Sequence, residues 1–158
     1  MAGWDDFERD ASEVATAVRA AFARHVHHML ATVRADGAPR ISGTEVIWAR
    51  GELWLGSMCE SPKARDLRRD PRYALHSGSD DPPNWEGDAK VAGTADEVTD
   101  PEVFAAVQGT LDPQPPARFH LFRLHIDEAI VLRLNDAKDA MIATRWTRDH
   151  GVTVRQMV

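Results

Sequence analysis

Between Ser57 and Arg72 the chain reads Ser-Met-Cys-Glu-Ser-Pro-Lys-Ala-Arg-Asp-Leu-Arg-Arg-Asp-Pro-Arg, residue types suited to capturing an anion. From Ser61 onward, Lys63, Arg65, Arg68, Arg69 and Arg72 stand against only Asp66 and Asp70, in a chain whose net charge is −6. Ser61-Pro62 reads as a helix start. The serine oxygen can accept from first-turn amides that lack partners, and proline gives up no needed donor at the first helical position. A helix N-terminus carries partial positive charge, and Ser57, Ser61 and Lys63 add hydroxyl and ammonium donors, which together make a candidate phosphate site. Spacing alone favours the plainer reading of a solvated basic helix with an ordinary serine cap.

Other chemistry-bearing residues point less far. His25, His27 and His28 have no carboxylate or cysteine at ligand spacing, so they read as partly buried polar surface at a helix-to-strand junction. Cys59 is the single cysteine, which excludes an internal disulfide and a cysteine-based zinc site; a packed, inert thiol is expected. Trp48, Trp54, Trp85 and Trp146 read as core or interface residues, with Trp85 in a loop.

These residues must be held by elements that the apolar pattern outlines. Phe7, Ala11, Val14, Val18, Ala21 and Phe22 recur every three or four positions, predicting an amphipathic helix over 5–24 that covers something apolar. From His28 the period becomes two, Asp36-Gly37 supplies a turn, and a hairpin into Arg40–Ala49 follows. Arg50-Gly51 turns into Glu52–Met58, and the helix begun at Ser61-Pro62 runs to about Asp70, where Pro71 ends it. Arg72–Ser77 and Asp88–Val98 read as strands around a loop at 78–87. Thr99 and Glu102 form a capping-box pattern opening a short helix to about Gln108. Phe119–Ile126 and Ala129–Leu134, separated by Asp127-Glu128, are strands, and Met141–Thr147 with Val152–Met157 make a last hairpin.

Six to eight antiparallel strands with a few helices predict a mainly β, small closed barrel, because closure removes exposed edges. The 158 residues, 43% hydrophobic and 28% charged, fit one globular domain over 1–158 without repeat or linker. The negative net charge argues against a general nucleic-acid binder. Apolar runs are too short for a membrane helix, and Trp4, Asp5, Asp6 and Glu8 do not resemble a basic, apolar leader, which predicts a cytoplasmic protein.

The order of these pieces resembles the pyridoxamine 5′-phosphate oxidase-like, flavin-binding split-barrel family. The resemblance lies over 24–98, in Ala31-Thr32-Val33-Arg34-Ala35-Asp36-Gly37-Ala38-Pro39-Arg40-Ile41-Ser42, Leu53-Trp54-Leu55-Gly56-Ser57, Ser61-Pro62-Lys63 and Leu67-Arg68-Arg69-Asp70-Pro71-Arg72. It implies a homodimer holding FMN at the subunit interface and acting as an oxidoreductase on a small organic substrate. Relatives that use a deazaflavin coenzyme, and non-enzymatic flavin or haem carriers and sensors, supply the alternatives. Arg40 matches a basic residue that reaches the cofactor phosphate, Ser57 a hydroxyl ending a strand, and Ser61 with Lys63 the helix-start pair closing on that phosphate. Ser42 and Thr44 lie on the strand that would run beside the flavin ring. Trp146 matches an aromatic packing near the ring, and Arg155 lies close to a phosphate-facing arginine of the second subunit. No catalytic acid or base is implied, and His150, at the position range of a haem ligand in some relatives, is a lone turn histidine. Where the oxidases carry an arginine and a histidine that hold their substrate, this chain has Val152 and Val154, and their mid-chain substrate-phosphate motif has no counterpart in 103–118. Oxidation of pyridoxamine 5′-phosphate is therefore not expected.

Overall fold

A computed structural model describes residues 3–115 and 118–158. The predicted N-terminal helix is two helices, α1 (Trp4–Asp10) and α2 (Ser12–Ala23), broken at Ala11 (φ −143°, ψ 61°). Periodicity could not separate them, because the break keeps Phe7, Val14, Val18 and Phe22 on the core side. Strands β1 (His28–Val33) and β2 (Pro39–Thr44) form the first hairpin. The expected strand over Arg40–Ala49 divides at Glu45 into β2 and β3 (Val46–Ala49), which pairs with β4 (Glu52–Met58). Helix α3 (Pro62–Arg69) begins at the predicted Ser61 cap, whose side chain accepts from the Ala64 amide. After β5 (Arg72–His76) and β6 (Asp88–Glu97), helix α4 (Pro101–Gln108) starts from Asp100 rather than Thr99. The Asp100 carboxylate takes the amides of Glu102 (2.8 Å) and Val103 (3.3 Å), doing the capping assigned to the threonine.

The largest departure is β7 (Phe119–Leu134), one 16-residue strand where two were expected. Opposite it, Ala92 faces Glu128 and Gly93 faces Ile126, so Asp127 is the extra residue of a bulge rather than a break. A Cβ on Gly93 would stand 2.0 Å from the His125 carbonyl oxygen, so the bulge requires glycine there. Strands β8 (Met141–Thr147) and β9 (Gly151–Met157) complete the sheet.

The described residues thus form nine strands in the order β2-β1-β5-β6-β7-β4-β3, with β8 and β9 branching from β7. The branch explains the split form. Along one edge, the first half of β7 pairs with β4 and the second half with β8, while β6 follows the other edge from Phe122 to Leu132. The two ends of the strand path, β2 and β3, are consecutive in the chain and joined at Glu45, but among the described residues they do not pair, so the sheet stays open along that seam. A mainly β split barrel was the expected class, and it is the class observed.

Apolar side chains from both α1 and α2 meet the barrel interior, where Trp4, Phe7, Leu30, Leu53, Phe122, Leu124 and Trp146 are essentially inaccessible. A smaller cluster, built on Trp54, Val107 and Leu121 with Phe104 and Phe119, lies under α4. Among the described residues no helix is long and apolar enough to cross a membrane.

Candidate phosphate and ring-binding cleft

Alternation along β2 puts Arg40, Ser42 and Thr44 on its inward face, while Pro39, Ile41 and Gly43 point out. The β4 strand delivers Ser57 to the same end of the barrel, buried, and the short turn at 59–60 hands the chain to α3. Ser57 and Ser61 hydroxyls lie 2.6 Å apart, tying the end of β4 to the cap of α3. Lys63 then reaches back across to β2, where its ammonium donates to the Gly43 carbonyl at 2.9 Å.

Thr44, Ser57 and Lys63 line one cleft of about 550 Å³, together with Ile47, Met58 and Phe119. Its far wall is the segment after α4, Leu111, Asp112, Pro113 and Pro115. Only proximity in the fold reveals that wall, since no motif marks it. Lys63 is half-buried, and that burial lowers its pKa from the ordinary 10.5. One of its three N–H groups goes to Gly43, which leaves donors for an anion at the start of α3.

Arg40 stands on the other flank of the α3 start, in a cleft of about 420 Å³ shared with Arg34, Pro62, Arg65 and Arg69. Its Nε donates to Asp66 at 2.6 Å. Asp66, buried on α3, also accepts from Thr32 (2.8 Å) and Arg69 (3.1 Å). Burial works to raise its pKa, but the bonds from Arg40, Thr32 and Arg69 outweigh that and hold the carboxyl below its ordinary value. The sequence reading counted Asp66 only as a charge; its spacing of three before Arg69 was the available signal.

The other predicted residues are placed differently. Ser42 is half-buried opposite Leu30, on the Arg40 face but outside the larger cleft's lining. Trp146 is only 2% exposed; its ring lies 4.6 Å from Phe7 and its indole nitrogen donates to Asp10 at 2.6 Å. Arg155 is exposed on β9, opposite Ala143. Neither lines the cleft that holds Lys63 within one protomer. Val152 and Val154 are exposed on β9 and border a separate cleft of about 650 Å³ with Val14, Ala17 and Val131.

Cys59 is exposed rather than packed, because the turn between β4 and α3, with Glu60 at φ 55°, carries it outward. The histidines also disperse. His25 faces Asp80 (3.6 Å), His27 faces Glu45 (3.3 Å), and buried His28 bonds the Phe22 carbonyl (3.0 Å). Folding thus supplies carboxylates that the local sequence lacks, but to separate rings. His150 is exposed in the β8–β9 turn.

Comparison with known proteins bears on the family and the fold. Residues 14–133 match the pyridoxamine 5′-phosphate oxidase family. Comparison with curated protein sequences gives no match. The fold is similar to that of a pyridoxamine 5′-phosphate oxidase-related, FMN-binding protein from Nostoc punctiforme, with a TM-score of 0.67 at 15% identity, covering 94% of this chain and 96% of that one. It is also similar to PhzG from Burkholderia lata, solved with tetrahydrophenazine-1-carboxylic acid (TM-score 0.60, 18% identity, 98% and 92% covered). A third similar structure is a heme binding protein from Mycobacterium smegmatis (TM-score 0.61, 14% identity, 91% and 87% covered). At these identities the likeness is one of fold, shared by proteins that hold different groups.

Proposed function

The chain belongs to the pyridoxamine 5′-phosphate oxidase family, and we propose that it is a homodimeric, FMN-binding oxidoreductase acting on a small organic substrate other than pyridoxamine 5′-phosphate. The observation that carries this reading is Lys63, a half-buried ammonium beside the capped start of α3, with a single carbonyl partner and a cleft in front of it. That donor set fits a phosphate: the Lys63 backbone amide left over after Ser61 takes those of Ala64 and Arg65, the Lys63 ammonium with no carboxylate bonded to it, and Arg40, whose Nε alone goes to Asp66.

Bound FMN supplies the hydride chemistry. The chain's own part is to anchor and orient. Lys63 and the α3 start hold the phosphate, with Arg40 approaching from β2. The apolar side chains of Ile47, Met58 and Phe119 offer a surface for the ring and exclude water from it. Thr44 and the backbone of β2 run along the cleft, where an amide could stabilise charge on the reduced ring. Arg155 is exposed on β9 and lies away from this cleft, so its proposed contact belongs to the cleft of a second copy, which is the reason for the homodimer; Trp146, buried against Phe7 and Asp10, is a core residue and does not reach a second copy. Val152 and Val154 remove the cationic and hydrogen-bonding groups that a phosphorylated pyridine needs.

The test is a fluorescence titration of the cofactor-free protein with FMN, run beside light scattering. Saturable quenching at one FMN per chain and a dimeric mass support the reading. Failure to bind FMN, with tight binding of a deazaflavin or of haem instead, contradicts it.

A further inference from the structure

We infer that Asp66 is the positioning residue for Arg40 on the far flank of the α3 start from Lys63, an inference that rests on the FMN reading above. Asp66 sits on α3 with its side chain 4% exposed, and it receives donors from three elements: Thr32 of β1, Arg40 of β2 and Arg69 of α3 itself. Thr32 and Arg40 are direct partners in the β1–β2 register, so both reach the same carboxylate from one inward face. A buried carboxylate with three donors is satisfied and immobile, which makes it a fixed point against which a longer side chain can be set.

The atom used on Arg40 is decisive. Asp66 takes the Nε edge at 2.6 Å, while among the described residues the two terminal amino groups of the same guanidinium have no protein partner. Arg40 is 31% exposed and lines the smaller cleft of about 420 Å³ together with Pro62, the first residue of α3. The planar fork is therefore pinned on one edge and offered on the other, toward the helix start where the phosphate is proposed to sit. Without the pin, a long side chain must lose several rotamers on binding. Asp66 lines the same cleft as Arg40 and its negative charge opposes an incoming phosphate, but that charge is shared between Arg40 and Arg69 and three further cations, Arg34, Arg65 and Lys63, stand around the helix start, so orientation outweighs repulsion.

The experiment measures FMN and riboflavin affinity, by fluorescence quenching, for wild type, Asp66→Asn, Arg40→Ala and the double variant. Riboflavin lacks the phosphate and reports any general damage to the cleft. Asp66→Asn should weaken FMN about tenfold, the low end of what an orienting partner contributes, and leave riboflavin unchanged. Adding it to Arg40→Ala should cause no further loss. Arg40→Lys keeps the charge but has one nitrogen for two tasks, so it should show the same FMN-only loss and serves if Asp66→Asn does not fold. FMN binding that is unchanged or tighter in Asp66→Asn, or in Arg40→Lys, overturns the inference while leaving the FMN reading intact. Equal loss of FMN and riboflavin assigns Asp66 a purely structural role and also overturns it. A wild-type protein that binds neither flavin overturns both.

Discussion

Replacing Lys63 with alanine should separate cofactor binding from folding. In the fold, the side chain makes one bond, 2.9 Å to the Gly43 carbonyl, on an exposed stretch of β2 where water can take its place. The lost stability is therefore small, below about 1 kcal/mol. In the complex the same ammonium is proposed to face a phosphate, and a charge-assisted hydrogen bond of that kind is worth about 1.5–3 kcal/mol. That range corresponds to a Kd for FMN roughly 10- to 150-fold weaker, since 1.4 kcal/mol is about a factor of ten. Part of the effect should return in Lys63→Arg, which keeps the charge with a bulkier head. Fluorescence titrations with FMN and riboflavin, beside thermal unfolding, are the assay: FMN affinity falls, riboflavin affinity and Tm hold. Undiminished FMN affinity in Lys63→Ala refutes the phosphate assignment, and a parallel fall for both flavins refutes its location.

Asp10→Ala removes the acceptor of the buried Trp146 indole N–H (2.6 Å) and should destabilise the fold by about 1–3 kcal/mol, read as a Tm lower by several degrees; an unchanged Tm contradicts the pinning of α1 to β8. Gly93→Ala places a Cβ 2.0 Å from the His125 carbonyl oxygen and should cost at least about 3 kcal/mol in denaturant unfolding, whereas a loss under about 1 kcal/mol would falsify the bulge geometry. Acid sensitivity follows from Asp66 and Asp70. Arg72 pulls Asp70 down to about 2, and Asp66 is also held below its ordinary 3.8, so their stabilisation is present above that value and lost as pH falls through the folded pKa values. Stability should decline from near pH 3.8 toward about 2, more shallowly in Asp66→Asn; an identical slope counts against the network. Finally, the FMN-loaded protein should turn over pyridoxamine 5′-phosphate about 10⁴-fold less efficiently than an enzyme with the missing contacts. Ordinary enzyme rates in aerobic pyridoxal 5′-phosphate formation would show that Val152 and Val154 do not mark a changed substrate.

How far the sequence could be read depended on whether the determining contact was local. The α3 start was legible because its cap, Ser61, and its first residue, Pro62, are adjacent and have a direct physical meaning. The paired strands were legible for the same reason, through alternation and turn residues. The continuous β7 was not, because a bulge at Asp127 depends on Gly93, 34 positions away in sequence, and the polar pair Asp127-Glu128 looks like a turn. The α1–α2 break was hidden because both helices keep the same buried stripe. At the site, Lys63, Ser57 and Thr44 were found and do meet in one cleft. Asp66, the Gly43 carbonyl and the wall at 111–115 were missed, since each acts through a partner brought close only by folding. Trp146 shows the converse: an indole that a resemblance sets near a cofactor is, within one protomer, held by Phe7 and Asp10.

The most direct test of the account is a crystal structure of the protein with FMN. It should show the phosphate at the start of α3, within hydrogen-bond distance of Lys63 and a terminal amino group of Arg40, with the ring over Ile47 and Phe119 and residues of a second copy closing the cleft. FMN bound with its phosphate elsewhere, or bound wholly within one protomer, would contradict it.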